Sequence, residues 1–181
     1  MAEPGQFINR EQIIAKAQIV EGMKVADLGC GNLGYFIIPI AKLLGQDGKA
    51  YAVDILNSAL DAVHNQAKLE GVTNLEPVRT NLEKVGATNI PADSLDLAML
   101  INVLFQNKNY KDIMAEAVRL IKTGGRLLVV DWKKTGAPFG PSVEQRIEPM
   151  TVKTIAQELN LNLIEETEFG DYFWGLIFEK I

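Results

Sequence analysis

The chain has 181 residues, 48% hydrophobic and 23% charged, the size of one ordinary domain with a sizeable core. Its net charge of −5 argues against nucleic acid as the main partner, since phosphate binding is driven by clustered lysine and arginine. A single cysteine excludes an intramolecular disulfide and any multi-cysteine metal site, so no metal is expected.

The first residues, MAEPGQFINREQ, lack a basic stretch followed by an apolar one, and so show no secretory signal. The longest apolar run, 95–105, contains Asp96 and Asn102 and is too short to span a bilayer. The expected compartment is cytoplasmic, with no membrane partner. Neither a linker, an internal repeat nor a charge block divides the chain, which reads as one domain over residues 1–181.

The first element is a helix at about 9–19, with Ile13, Ile14, Ala17 and Val20 at helical spacing. A short apolar strand follows at 24–28 and runs into a glycine turn. Residues 34–44 read as a helix stopped by GQDG, and KAYAVDI, 49–55, as the second strand. Asn57 or Ser58 is expected to cap a helix whose Leu60, Val63 and Ala67 share a face and which Gly71 ends. NLEPVRT, 74–80, is the third strand; 95–102, nearly all apolar, is the fourth, as befits a strand buried on both faces. A helical stripe of Tyr110, Ile113, Met114, Ala117, Val118 and Ile121 ends at Gly124 and Gly125, and RLLVVDW, 126–132, is the fifth strand. Strands alternating with helices imply a parallel sheet covered on both faces.

The last third departs from that rhythm. A helix at 151–159 is followed by two strands, 161–169 and 172–180, separated only by Gly170 and Asp171. So short a connection cannot carry a crossover, and the pair must form an antiparallel hairpin. The expected fold is therefore α/β and Rossmann-like: a doubly wound sheet of five parallel strands closed by a C-terminal antiparallel hairpin.

The chemistry is concentrated in VADLGCGNLGYF, 25–36. Gly29, Gly31 and Gly34 stand at the spacing G-x-G-x-x-G, and Asp54 ends the second strand about twenty residues further on. Such a turn lets the backbone approach a nucleotide, and the acid accepts from ribose hydroxyls. A nicotinamide dinucleotide and S-adenosylmethionine both fit that pattern. Two features separate them. Asp27, two residues before the first glycine, would repel a pyrophosphate but attract the ammonium and sulfonium of S-adenosylmethionine. The terminal hairpin is superfluous in a plain dinucleotide domain.

VADLGCGNLGYF, YAVDI, DLAMLINVLFQ, GGRLLVVDWK and the closing hairpin resemble the class I S-adenosylmethionine-dependent methyltransferases, over about residues 9–180. The stretch VLFQNKNYKDIMAEAVRLIKTGGRLLVVDWK is most similar to the small-molecule branch that includes quinone-biosynthesis methyltransferases. The resemblance implies S-adenosyl-L-methionine as cofactor and a small organic acceptor. It places Gly29, Gly31 and Gly34 under the methionine part and Asp27 near its ammonium. Asp54 would hold the ribose, and Ile55 would pack on the adenine. Asn81 and Leu82 stand where the family often has an acid meeting the adenine amino group; an amide can still accept there and can donate to the ring nitrogen. Ile101 and Asn102 would lie nearest the sulfonium and the acceptor.

Methyl transfer to a small molecule requires alignment above all, and a base only if the acceptor must lose a proton. Asp131 and Glu144 are the available carboxylates, but Asp131 can equally cap the fifth strand, and no catalytic base is assigned. Cys30 reads as a small turn residue and His64 as a helix-edge residue. Phe105, Gln106 and Trp132 are expected either in the acceptor pocket or in the core; Phe7, Asn9 and Arg10 are candidates for a lid. The loop 133–149 is long enough to form an acceptor pocket, and such loops are usually functional. The missing Asn/Asp-Pro-Pro-aromatic and Pro-Cys motifs exclude amino-nitrogen and cytosine-C5 methylation, and the single cysteine excludes arsenite methylation. A protein lysine methyltransferase and a cofactor-binding module without activity remain as alternatives. Oligomeric state is not legible.

Overall fold

The computed structural model describes residues 7–135, 137 and 139–181. Seven strands form one sheet in the order β3-β2-β1-β4-β5-β7-β6. The strands are β1 (Lys24–Leu28), β2 (Lys49–Asp54), β3 (Leu75–Arg79), β4 (Leu95–Ile101), β5 (Ile121–Trp132), β6 (Leu161–Phe169) and β7 (Phe173–Lys180). β1 to β5 are mutually parallel, while β7 pairs antiparallel with both β5 and β6, as the short 170–172 connection requires. The strand order reverses between β1 and β4, and an open sheet of this kind binds its ligand at the carboxyl ends of the strands flanking such a point.

Alternation along the strands divides the core in two. Helices α1 (Arg10–Ala17), α2 (Ile37–Leu44) and α3 (Asn57–Leu69) cover one face, where Ile13, Ile37, Ile40 and Val63 pack on Val25, Leu97, Met99 and Val130. Helices α4 (Tyr110–Leu120) and α5 (Pro149–Glu158) cover the other, where Met114, Ala117 and Val152 pack on Leu28, Leu100, Val129 and Phe178. β4 and the second half of β5 are buried on both faces, hence their nearly unbroken apolar sequence.

Several boundaries differ from the sequence expectation, each for a local reason. α1 stops at Ala17 because Gln18 turns left-handed, with φ of 52°, and returns its N–H to Ala15 and Ile14. Its N-cap is Asn9, whose side chain accepts from Gln12 N at 2.9 Å. α3 is capped by neither Asn57 nor Ser58; its N-cap is Leu56, whose N–H is taken instead by Asp54. β5 begins five residues early, at Ile121, which pairs with Leu95 before a bulge carries the strand past Gly124 and Gly125. A Cβ on Gly125 would stand 2.8 Å from Lys122 O and 2.9 Å from Leu95 O, so the bulge requires glycine. α5 starts at Pro149, which suits the first helical turn.

The connection from β3 to β4 is pinned by a buried carboxylate. Glu116 on α4 accepts from Gly86 N and Thr88 N and is gripped by Arg119, Nε to Oε2 and Nη2 to Oε1 both at 2.8 Å. Burial alone would raise its pKa, but the guanidinium and the N–H donors outweigh it and bring the group down to about 2.

Candidate active site

A crevice of about 590 Å³ opens at the carboxyl ends of β1, β2, β3 and β4. Its floor is the turn after β1. Gly29 N and Cys30 N both donate to Val53 O, at 2.8 and 3.0 Å, which folds the turn back onto β2. Gly29, with φ of 94°, leaves no room for a side chain: a Cβ would lie 2.6 Å from Val103 Cγ2. Asp54 fixes the other side, its Oδ2 accepting from Gly31 N at 3.1 Å and its Oδ1 from Leu56 N at 3.0 Å.

Of the residues expected at the site, Gly29, Gly31, Asp54, Ile55, Asn81 and Leu82 line this crevice together. Asn81 uses its amide oxygen locally, accepting from Glu83 N at 3.0 Å, so the oxygen expected to read an adenine already has one partner. Gly34 lines a neighbouring groove, with Ile38 and Val63 packed so closely that only glycine fits.

Asp27, Ile101 and Asn102 lie beneath the crevice rather than on its wall, each at most 7% exposed. Asp27 shares the sheet face of Val25. Burial, and then the charge of Asp54, push its carboxyl up to about 7. Asn102 follows β4 with φ of 58°; its N–H bonds Val130 O and its carbonyl accepts from Gln106, yet neither atom of its buried amide group has a partner among the described residues. An orphaned amide at a strand end beside a crevice is costly unless a ligand satisfies it.

Sequence reasoning missed the crevice residues Asn32, Ser58, Thr80, Val103 and Asn107. Thr80, whose buried hydroxyl also lacks a partner among the described residues, carried a usable signal: it is the last residue of the expected third strand, 74–80, directly before Asn81. Asn32, Val103 and Asn107 sit on short turns whose direction depends on tertiary packing, and Ser58 stands in the first turn of α3. No lysine or arginine lines the crevice among the described residues, whereas Asp54 and Glu83 do.

Asp131 is fully buried and acts as a peg: Oδ1 accepts from Trp132 N at 2.8 Å, and Oδ2 accepts from Phe105 N at 3.2 Å, in the 3₁₀ turn after β4. Burial raises its pKa to about 7 against the opposing N–H donors. Glu144 is exposed on another 3₁₀ turn, away from the crevice. His64 is exposed on α3.

The loop 133–149 is packed rather than loose. Arg146, 4% exposed, donates to the carbonyls of Lys133, Thr135, Phe139 and Pro141 and lies 5.3 Å from the Trp132 ring centroid. Phe139 stacks on Phe7 at 4.4 Å and meets Trp132 and Tyr172 edge-on. The N-terminal segment and this loop thus close on each other over the end of β5. Gly136 and Pro138 of the loop fall outside the described residues.

The fold and this geometry have known counterparts. Residues 19–168 match the family described as "Methyltransferase domain". The ubiquinone/menaquinone biosynthesis C-methyltransferase UbiE of Francisella tularensis subsp. novicida is 33% identical over 136 residues, 72% of this chain and 51% of that protein. UbiE of Vibrio vulnificus is 30% identical over 115 residues, 62% of this chain and 42% of its own. The chain thus spans about half the length of the curated relatives it matches. Among solved structures, a SAM-dependent methyltransferase from Aquifex aeolicus superposes with a TM-score of 0.87 at 22% identity, covering 99% of this chain and 94% of that one. The cyclase SpnF does so with a TM-score of 0.79 at 12% identity, covering 94% and 80%. The chain belongs to the methyltransferase-domain family, in its class I, S-adenosylmethionine-dependent form.

Proposed function

We propose that the protein is a single-domain cytoplasmic enzyme that transfers a methyl group from S-adenosyl-L-methionine to a small organic acceptor. The observation that carries the cofactor reading is the charge of the crevice. Asp54 and Glu83 line it, no described lysine or arginine does, and Asp27 is buried beneath it, where the charge that acts on it among the described residues is that of Asp54. A pyrophosphate would be repelled by this arrangement and a cationic ligand attracted.

When bound, S-adenosylmethionine supplies a methyl group already activated by its positive sulfur. The residues present fit it. Asp54 accepts from the ribose hydroxyls with the lone pairs its turn bonds leave free. Ile55, Leu82 and Val103 give apolar faces for the adenine, and Thr80 and Asn81 give its edge polar partners. Gly29, Gly31 and Gly34 keep the backbone low under the amino-acid part, where Asp27 attracts the ammonium. Ile101 ends β4 and Asn102 follows it, at the proposed reacting centre, where the buried amide of Asn102, without a partner among the described residues, is a polar group for the ligand to satisfy. The protein contributes alignment and the exclusion of water. Asp131 is committed to backbone donors, so no base is assigned.

The acceptor is read from the relatives, whose names specify ubiquinone and menaquinone biosynthesis. A small ring compound is the proposed acceptor, its recognition falling to the N-terminal segment and the loop 133–149, which meet where Phe7 stacks on Phe139. The similarity to SpnF, a cyclase, keeps a second reading in view, in which the fold serves no methyl transfer.

Incubation with methyl-labelled S-adenosylmethionine and a cell extract separates these readings. The expected result is label in the solvent-extractable small-molecule fraction. Label in protein bands would point to lysine methylation. Absence of any labelled product, despite cofactor binding, would favour the second reading.

A further inference from the structure

The turn that follows β4 forms one wall of the crevice, and it does not hold itself in place. It is a single 3₁₀ turn, Leu104–Gln106, whose N-cap is Val103, a residue with no polar side chain to satisfy the first N–H groups. The missing cap comes from the neighbouring strand. Asp131 of β5 accepts from Phe105 N at 3.2 Å through Oδ2, and the N–H of Leu104 also bonds the same carboxyl. Its Oδ1 is taken by Trp132 N at 2.8 Å, so one fully buried carboxylate ties the turn to the end of β5. Leu127 and Val129 precede Asp131 on the same face of the strand, where an apolar residue is buried without the cost of a charge. What the acid adds there is the hold on the turn.

That hold reaches the ligand site. Val103, Gln106 and Asn107 all line the crevice. Val103 is pressed against the glycine turn: a Cβ on Gly29 would meet its Cγ2 at 2.6 Å, so no slack separates the two. Any shift of the turn drives Val103 into Gly29 or opens a gap beside it. The wall residues also move as a unit, because Gln106 Nε2 donates to Asn102 O and Asn107 Nδ2 to Val103 O, both at 2.8 Å. The unit is tied to β5 at two points, Asn102 N on Val130 O and Phe105 N on Asp131. Only the second of these is a side-chain contact, and so open to substitution.

We propose that Asp131 is a positioning residue for the cofactor: by capping the turn after β4 it sets where Val103, Gln106 and Asn107 stand against the ligand, without touching the ligand itself. This rests on the functional reading above and adds to it a residue from β5, a strand with no described residue in the crevice lining. The carboxylate holds the wall, and the wall holds the nucleoside.

The test is a double-mutant cycle read by calorimetry with S-adenosylhomocysteine, the demethylated form of the cofactor. Asp131→Asn keeps the shape of the side chain but turns an amide NH₂ towards one of its N–H donors. It is expected to weaken binding about tenfold, the order of a lost hydrogen bond to a charged group. Val103→Ala should weaken it too, and the double variant should lose clearly less than the product of the two, because Asp131 acts through the turn that carries Val103. Asp131→Leu, which matches the apolar residues before it, is a second variant expected to lose at least as much. Glu116→Gln alters a buried carboxylate that bonds no residue of the crevice; it should lower the melting temperature and leave affinity within about twofold. Unchanged affinity in Asp131→Asn, losses that simply multiply in the double variant, or an equal loss in Glu116→Gln would overturn the proposal while the cofactor reading stands. Failure of both Asp131 variants to fold would overturn it as well, by making the carboxylate a requirement of the fold. A wild type that does not bind S-adenosylhomocysteine would remove the cofactor reading, and the proposal with it.

Discussion

Asp54, at the end of β2, accepts the backbone N–H of Gly31 at 3.1 Å, so the acid proposed to hold the ribose also holds the turn beneath it. Its second oxygen takes Leu56 N and starts α3. Asp54→Ala should therefore weaken S-adenosylhomocysteine by about 1.5–3 kcal/mol, the scale of hydrogen bonds to a charged group, while the protein stays folded. Asp54→Asn should fall between, since one of its two oxygens becomes a donor. Titration calorimetry checks both; unchanged affinity in the alanine variant would place the ribose elsewhere.

Asp27 makes stability and binding depend on pH in opposite senses. Its carboxyl titrates at about 7 in the folded protein, against an ordinary value of 3.8. Between those values the folded state holds the proton and the unfolded state does not, so stability falls as pH rises from about 4 to about 7. Asp27→Asn removes this cost. It should melt above the wild type at about pH 8, by on the order of a few kcal/mol, with the gap closing towards about pH 5. Affinity for S-adenosylhomocysteine should rise with pH through about 7 in the wild type, as Asp27 ionises to meet the ammonium, and lose that rise in Asp27→Asn. Melting curves that run parallel at both pH values would remove Asp27 as the titrating group.

Asn81 separates a turn role from a recognition role. Its oxygen bonds Glu83 N at 3.0 Å, a bond an aspartate makes equally well. Asn81→Asp should then retain cofactor binding, because the carboxylate keeps the turn and still accepts from an adenine amino group. Asn81→Leu should lose more. Small and equal effects in both would show that Asn81 lines the crevice without touching the base.

The loop 133–149 should matter for the acceptor and little for the cofactor. Gly140, with φ of 86°, lies so close to Trp132 that a Cβ would come within 2.6 Å of its ring, and Phe139 joins the loop to Phe7. Replacing residues 139–142 by a short Gly/Ser link should uncover Trp132, shifting its fluorescence to longer wavelength. Affinity for S-adenosylhomocysteine should hold, methyl transfer should drop, and the labelled extract fraction should change. A folded variant that methylates the same compounds at the wild-type rate would reduce the loop to a connection.

How much of this was legible in the sequence follows from the range of the forces involved. The sheet was legible because β4 and the second half of β5 are apolar on both faces and because Gly170 and Asp171 allow only a hairpin. The glycine turn and Asp54 were legible because a tight turn and a ribose acceptor need particular residue types at fixed spacing. The burial of Asp27 was not, since it depends on the helices that close over its face of the sheet. The role of Asp131 was half legible: a strand-end cap was foreseen, but its partner Phe105, on the turn after β4, is brought to it only by the pairing of β4 with β5. Arg146 carried no local signal at all. Four carbonyls of an irregular loop converge on it, a pattern that neither periodicity nor spacing encodes.

A crevice lined by Asp54 and Glu83 should accept a cationic adenosyl cofactor and reject a pyrophosphate. Parallel calorimetric titrations of the wild-type protein with S-adenosylmethionine and with NAD test it most directly. The expected result is saturable one-to-one binding of S-adenosylmethionine and no comparable binding of NAD. Saturable binding of NAD, with S-adenosylmethionine giving no heat above dilution, would contradict it.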